Sequence, residues 1–121
     1  MLNAQQTLSD GTVDHIYDEV NRTGYKTVRS DASQDVTSPN LLVVSHEEAK
    51  SGRVNTVAYL DYSRIVDLDT NQEDNVRTQF KFSYNPKLGF PNIEAIVTEQ
   101  IAQLQSFLTA ANVAKLFNKE S

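Results

Sequence analysis

The 121-residue chain has no cysteine, one methionine, three prolines and four glycines. Without cysteine there is no disulfide, no thiolate metal ligand and no thiol nucleophile. No apolar run approaches the length that spans a bilayer, and Met1 to Ser9 lacks the positive flank and apolar h-region of a secretory signal. Cations are also few: Lys and Arg number 11 against 16 Asp and Glu, a net charge of -5, so the average field does not draw in nucleic acid. Any such contact must come from a local patch. The sequence holds no Gly-rich phosphate loop, no nucleophile with a base and an orienting group, no internal repeat and no low-complexity tract. No catalysis, cofactor or metal is expected. What remains is an ordinary soluble composition, 39% hydrophobic and 22% charged with a mean hydropathy of -0.46, in a chain of single-domain length.

The strongest periodic signal comes last. Ile93, Ile96, Val97, Ile101, Leu104, Phe107, Leu108 and Ala111 recur every three or four positions, the stripe of an amphipathic helix. Glu94, Thr98, Glu99, Gln103, Gln105 and Ser106 make up its polar side. Pro91 blocks extension backwards, and Asn92 is placed to cap the first turn. Asn112 is read as the interruption, after which Val113, Leu116 and Phe117 form the apolar edge of a short second helix. Each buried side chain of such a stripe is worth about 1.5–3 kcal/mol, against an ordering cost of similar size, so the stripe needs a large apolar partner.

Strand signals fill the rest. Gln5 to Leu8 and Thr12 to Val20 flank an Asp10-Gly11 turn, which predicts a hairpin over residues 1–24. Asn21 to Asn40 reads mostly as loop, closed by Pro39, with a short strand at Tyr25 to Arg29. Leu41 to Glu47 and Val54 to Val66, joined across Ala-Lys-Ser-Gly, should pair antiparallel. In the second of them Val54, Thr56, Ala58, Leu60 and Tyr62 make the more apolar face. The acidic stretch Asp67 to Asn75 separates it from a strand at Val76 to Asn85, whose Thr78, Phe80, Phe82 and Tyr84 alternate with Arg77, Gln79, Lys81 and Ser83. Strands before helices predict an α+β fold, with the main sheet over residues 25–86 and helices over 92–119 of one domain, 1–121. One helix and a short tail are too little to cover such a sheet, so a symmetric homodimer is expected.

In the order and pattern of these segments the chain resembles the coat proteins of single-stranded RNA bacteriophages, the leviviruses. The likeness rests on the turn Asp10 to Thr12, on LLVVSHEEAKSGRVNTVAYLDYSRIVD (Leu41 to Asp67), on VRTQFKFSYNP (Val76 to Pro86) and on the helix that begins at Asn92. It implies an N-terminal hairpin, an antiparallel sheet and two C-terminal helices that interlock across a two-fold axis, with Ile96, Val97, Ile101, Leu104, Phe107 and Leu108 in the dimer interface. It further implies an icosahedral shell, usually T=3, located in the virion and assembled in the bacterial host cytoplasm, with single-stranded RNA as partner and no membrane. An RNA hairpin bound on the sheet would make the protein a translational repressor. Carried over by strand and parity, the RNA-facing side chains are Val43, Ser45, Glu47, Asn55, Val57, Tyr59, Asp61, Arg77, Gln79, Lys81 and Ser83. Among these, Arg77 and Lys81 would meet phosphate, Gln79 and Asn55 would bond to base or sugar, and Tyr59 would stack on a base. The carboxylates of Glu47 and Asp61 weaken attraction to a polyanion. The alternative reading is a small dimeric α+β binding module that offers its open sheet face to nucleic acid or protein.

Three further patterns have plain structural readings. His15, beside Asp14 and near Asp18, and His46, beside Glu47 and Glu48, lack ligand spacing and read as structural. Asp67, Asp69, Asn71 and Glu73 imitate a calcium loop, but Gln72 replaces its Gly and Thr78 its last Glu, so the acidic segment reads as solvated. The Phe80, Phe82 and Tyr84 stripe reads as core.

Overall fold

The computed structural model describes residues 2–120 other than 32–39, with Ile65 and Val66 described by their backbone alone. The part of the expected loop that falls at 32–39, including Pro39, lies outside the described residues. Two compact units follow along the chain, Met1–Tyr84 and Asn85–Ser121.

The first unit is a six-stranded antiparallel sheet in sequence order: β1 (Gln5–Ser9), β2 (Asp14–Thr23), β3 (Lys26–Asp31), β4 (Asn40–Glu48), β5 (Val54–Asp67) and β6 (Gln72–Tyr84). The first hairpin closes through its own side chain: Asp10 Oδ1 accepts from the N–H groups of Thr12 and Val13, each at 2.8 Å, while Gly11 takes φ 96°. Gly52, at φ 87°, donates to the Ala49 carbonyl at 2.9 Å in the turn between β4 and β5. The acidic stretch is less of a separator than its composition suggests. β5 runs on to Asp67 and β6 begins at Gln72, so Glu73, Asp74 and Asn75 are paired strand. Ladder bonds join backbones, and polar side chains on an exposed hairpin do not oppose them.

Register sorts the side chains into two faces. On one, Leu42 lies opposite Leu60, Val44 opposite Ala58, Ala58 opposite Phe80, Thr56 opposite Phe82 and Val54 opposite Tyr84. Phe82 and Tyr84 stack with ring centres 6.1 Å apart, and Phe80 follows at 5.9 Å from Phe82. This apolar face is not a finished core, for Leu60 and Tyr62 remain 42% and 48% exposed. Among the described residues the buried apolar side chains are Tyr17 and Val43, and the buried polar ones are Thr27, Arg29 and Asp31.

In the second unit a short 3₁₀ turn, Pro86–Leu88, is capped by Asn85, whose side-chain oxygen accepts from the Lys87 N–H at 3.0 Å. Helix α1 spans Ile93–Phe107 and α2 spans Ala110–Phe117. Asn92 does precede α1, but at φ 57° and ψ 37° its side chain makes no capping bond, which corrects the expected cap. The break also falls earlier than Asn112. Thr109 caps α2 by accepting from the Asn112 N–H at 3.2 Å, and the Asn112 amide donates to the Phe107 carbonyl at 2.7 Å. Asn112 ties the two helix ends together instead of ending one. Neither helix has a buried residue.

Candidate nucleic-acid face of the sheet

Strand register brings every residue expected to face RNA onto one surface. Val43 lies opposite Tyr59 and Tyr59 opposite Gln79; Ser45 opposite Val57 and Val57 opposite Lys81; Glu47 opposite Asn55 and Asn55 opposite Ser83; Asp61 opposite Arg77. Period-2 alternation on neighbouring antiparallel strands produces this grouping, because directly paired residues share a face. One of them is shut away: Val43 is 2% exposed, packed in the sheet centre and closed to a ligand. Glu47, Arg77, Gln79 and Lys81 are exposed, and the others on this face are half-buried.

Cross-strand bonds alter the roles that the resemblance implied. Arg77 donates to Asp61 Oδ2 at 2.7 Å, and the Asn75 amide donates to Asp61 Oδ1 at 2.6 Å. The Arg77 guanidinium holds the Asp61 carboxyl below its ordinary range, with Asn75 assisting, against the opposing effect of desolvation. The same pairing raises Arg77 above its own usual value. The Asp61 charge is therefore matched within the protein. Arg77 also lies over the Tyr59 ring, 4.1 Å from its centre, so that ring face is already occupied.

One cation on this face escaped the sequence reading, and a turn cation is tied to its edge. Lys26 lies opposite Ser45, which puts an exposed third cation on this face from β3. Its signal was the alternation of Lys26, Val28 and Ser30 with Thr27, Arg29 and Asp31, faint in so short a strand. Arg53 donates to Ser83 Oγ at 2.6 Å across the strand ends, which turns a turn residue toward the edge of the face. Amides, hydroxyls and cations side by side suit hydrogen bonding to base edges, sugars and phosphates.

The histidines take other partners than their sequence neighbours. His46 Nδ1 lies 2.9 Å from Thr56 Oγ1, on the apolar face. His15 lies between Asp10 and Asp31, not Asp14 and Asp18. Among the described residues no cluster of three His, Asp or Glu side chains is placed to hold a metal ion, and no helix is long and apolar enough to cross a membrane. Of the residues expected in the dimer interface, Ile96, Val97 and Ile101 on α1 are half-buried, while Leu104, Phe107 and Leu108 remain 49%, 52% and 52% exposed.

The fold that carries this face is the RNA-phage coat-protein fold: a meandering antiparallel sheet followed by two C-terminal helices. The chain is similar over 93% of its length, and over 91% of the other chain, to the subunit of the virus-like particle of bacteriophage AVE019, with a TM-score of 0.70 at 13% identity. Against the virus-like particle of bacteriophage NT-214 it covers 99% and 98% of the two chains, with a TM-score of 0.69 at 12% identity. Against the protein capsid of bacteriophage GA it covers 97% and 95%, with a TM-score of 0.64 at 9% identity. No family model matches the chain, and no curated protein matches it by sequence. The shared feature is the path of the backbone, reached through a different set of side chains.

Proposed function

We propose that this chain is a phage coat protein, a structural and non-catalytic building block that dimerises with a second copy of itself and assembles into a closed icosahedral shell around single-stranded RNA. The observation that carries the reading is the end-to-end fold match to subunits of virus-like particles. The exposed apolar surface supports it. Leu60 and Tyr62 on the sheet, with Leu104, Phe107 and Leu108 at and just past the C-terminal end of α1, lie too open for a protein that works alone. A two-fold partner that sets α1 of each chain on the sheet of the other removes both surfaces from water at once.

The opposite face then lines the interior. Lys26 and Lys81 neutralise phosphates there, while Asn55 and Gln79 bond to base edges or sugars. An unpaired base stacks on the guanidinium of Arg77, which is held flat by Tyr59 below and Asp61 beside it. An RNA hairpin seated in this way would make the protein a translational repressor as well as a container.

The test is expression of the chain alone in bacteria, followed by size-exclusion chromatography and negative-stain electron microscopy. Uniform spheres are expected. A dimer that forms no particles at high concentration, with RNA present, replaces the coat reading with that of a dimeric binding module.

A further inference from the structure

We propose that His15 is a proton-operated latch: with both ring nitrogens protonated it ties the β1–β2 turn to the end of β3, and loss of one proton releases the turn. Its Nε2 lies 2.9 Å from Asp10 Oδ2, and its Nδ1 lies 3.4 Å from Asp31 Oδ2. A neutral imidazole has a single N–H and can serve one carboxylate; the other then meets a lone pair. Imidazolium serves both.

The two carboxylates belong to different parts of the sheet. Asp10 is the residue that closes the first hairpin, its Oδ1 engaged by Thr12 and Val13. Asp31 stands at the end of β3, 2% exposed and opposite Tyr17. His15 thus joins a solvent-exposed turn to a buried charge. Among the described residues of β1, β2 and β3, the other titratable or charged groups on this face are Tyr17 and Glu19 of β2, Glu19 being held by Arg22 at 2.6 Å, and Arg29 of β3, which donates to the carbonyls of Ala4 at 3.1 Å and Asn3 at 2.8 Å. From β1 the residue opposite His15 is Leu8.

The balance favours the charged ring. The hydrogen bond to Asp10 raises His15 above its ordinary value of 6.5 against desolvation, with Asp31 adding to it. Asp10 is itself lowered to about 2, first by the Val13 N–H and then by His15. A histidine raised on folding stabilises fully below its unfolded value and loses that contribution as pH rises through its folded value. On the acid side Asp10 keeps its charge until about pH 2. The latch is therefore shut in mild acid and opens toward alkaline pH. What it frees is the turn carrying β1, which among the described residues is an edge strand paired with β2.

Hydrogen–deuterium exchange read by mass spectrometry on the intact protein tests this. After correction for intrinsic exchange rates, peptides covering Gly11 to Val13 should lose protection by about threefold or more between roughly pH 6 and pH 9. Asp10→Asn should move that step to lower pH, His15→Gln should remove it, and His46→Gln, which changes the other histidine, should leave it in place. Equal protection at both pH values in the unaltered protein overturns the proposal even where His15→Gln fails to fold. A step of unchanged size in His15→Gln overturns it as well.

Discussion

One end of the sheet buries polar side chains, and the other leaves apolar ones open to water. Around β2, β3 and β4 the buried side chains are mostly polar: Arg29 at 0% exposure, Asp31 at 2% and Thr27 at 8%, with Tyr17 and Val43 as their apolar company. Toward β5 and β6 no apolar side chain among the described residues is fully buried, and Leu60 at 42%, Tyr62 at 48% and Val76 at 68% exposure stay open. The first end is organised by directed bonds, such as those from Arg29 to the Asn3 and Ala4 carbonyls. The second has the surface for hydrophobic burial without the burial. Directed bonds can define a geometry within one chain, whereas area-driven stabilisation requires something to cover the area. The hydrophobic half of this fold thus lies open to a covering surface, which the second copy proposed above would supply.

The hardest way to break that contrast is to put a charge where association is expected. Leu104→Asp or Phe107→Asp should abolish the soluble dimer, since a carboxylate in a closing apolar seam costs several kcal/mol. Size-exclusion chromatography with light scattering reads the outcome, and a fully folded, stable monomer would remove the interlocked arrangement. At the other end, Arg29→Ala should destabilise the protein by about 2–4 kcal/mol in denaturant titrations, because it strips two carbonyls of a charged donor and empties a buried site. If the loss is below about 0.5 kcal/mol, the directed-bond half of the comparison fails. On the polar face the effect is smaller and shows in salt dependence. Lys81→Ala should flatten the logarithmic salt slope of RNA binding by about 0.7 to 1. Arg77→Ala should weaken binding with a smaller change in slope, because Asp61 already shares its charge.

What could be foreseen follows the physics of each pattern. Alternation along β5 and β6 is strict, and a slip of one residue would turn the Phe80 and Phe82 side chains outward, so the faces were legible in the sequence. Helical spacing from Ile93 onward was equally plain. Pairings between distant segments were not. That Asp61 meets Arg77, or that His15 meets Asp31, depends on register and on a turn closed by Asp10, which no local pattern states. The start of β6, at Gln72 instead of Val76, was hidden for a related reason. A hairpin ladder is a backbone structure, and the polar residues from Asp67 to Asn75 gave no side-chain sign of it. Asn112 misled because an amide inside an apolar run reads as a breaker, whereas here it bonds across the break made by Leu108 and Thr109.

The smallest predicted effect is also the most specific to the polar face. Asp61 is depressed on folding below its ordinary 3.8, chiefly by Arg77, so its contribution is present above that value and is lost as pH falls through the lower folded value. Arg77 is about half exposed, at 47%, so solvent screens the pair and keeps its contribution small. Asp61→Asn should therefore lower stability slightly near neutral pH and by less near pH 3, below the ordinary value, where the contribution of the charge shrinks. A matching thermal-denaturation series at both pH values checks the sign. If Asp61→Asn were equally destabilising at both, the carboxylate would act through shape and hydrogen bonding alone. The salt slope of RNA binding would then treat Arg77 as a full cation, and Arg77→Ala would flatten it as much as Lys81→Ala does.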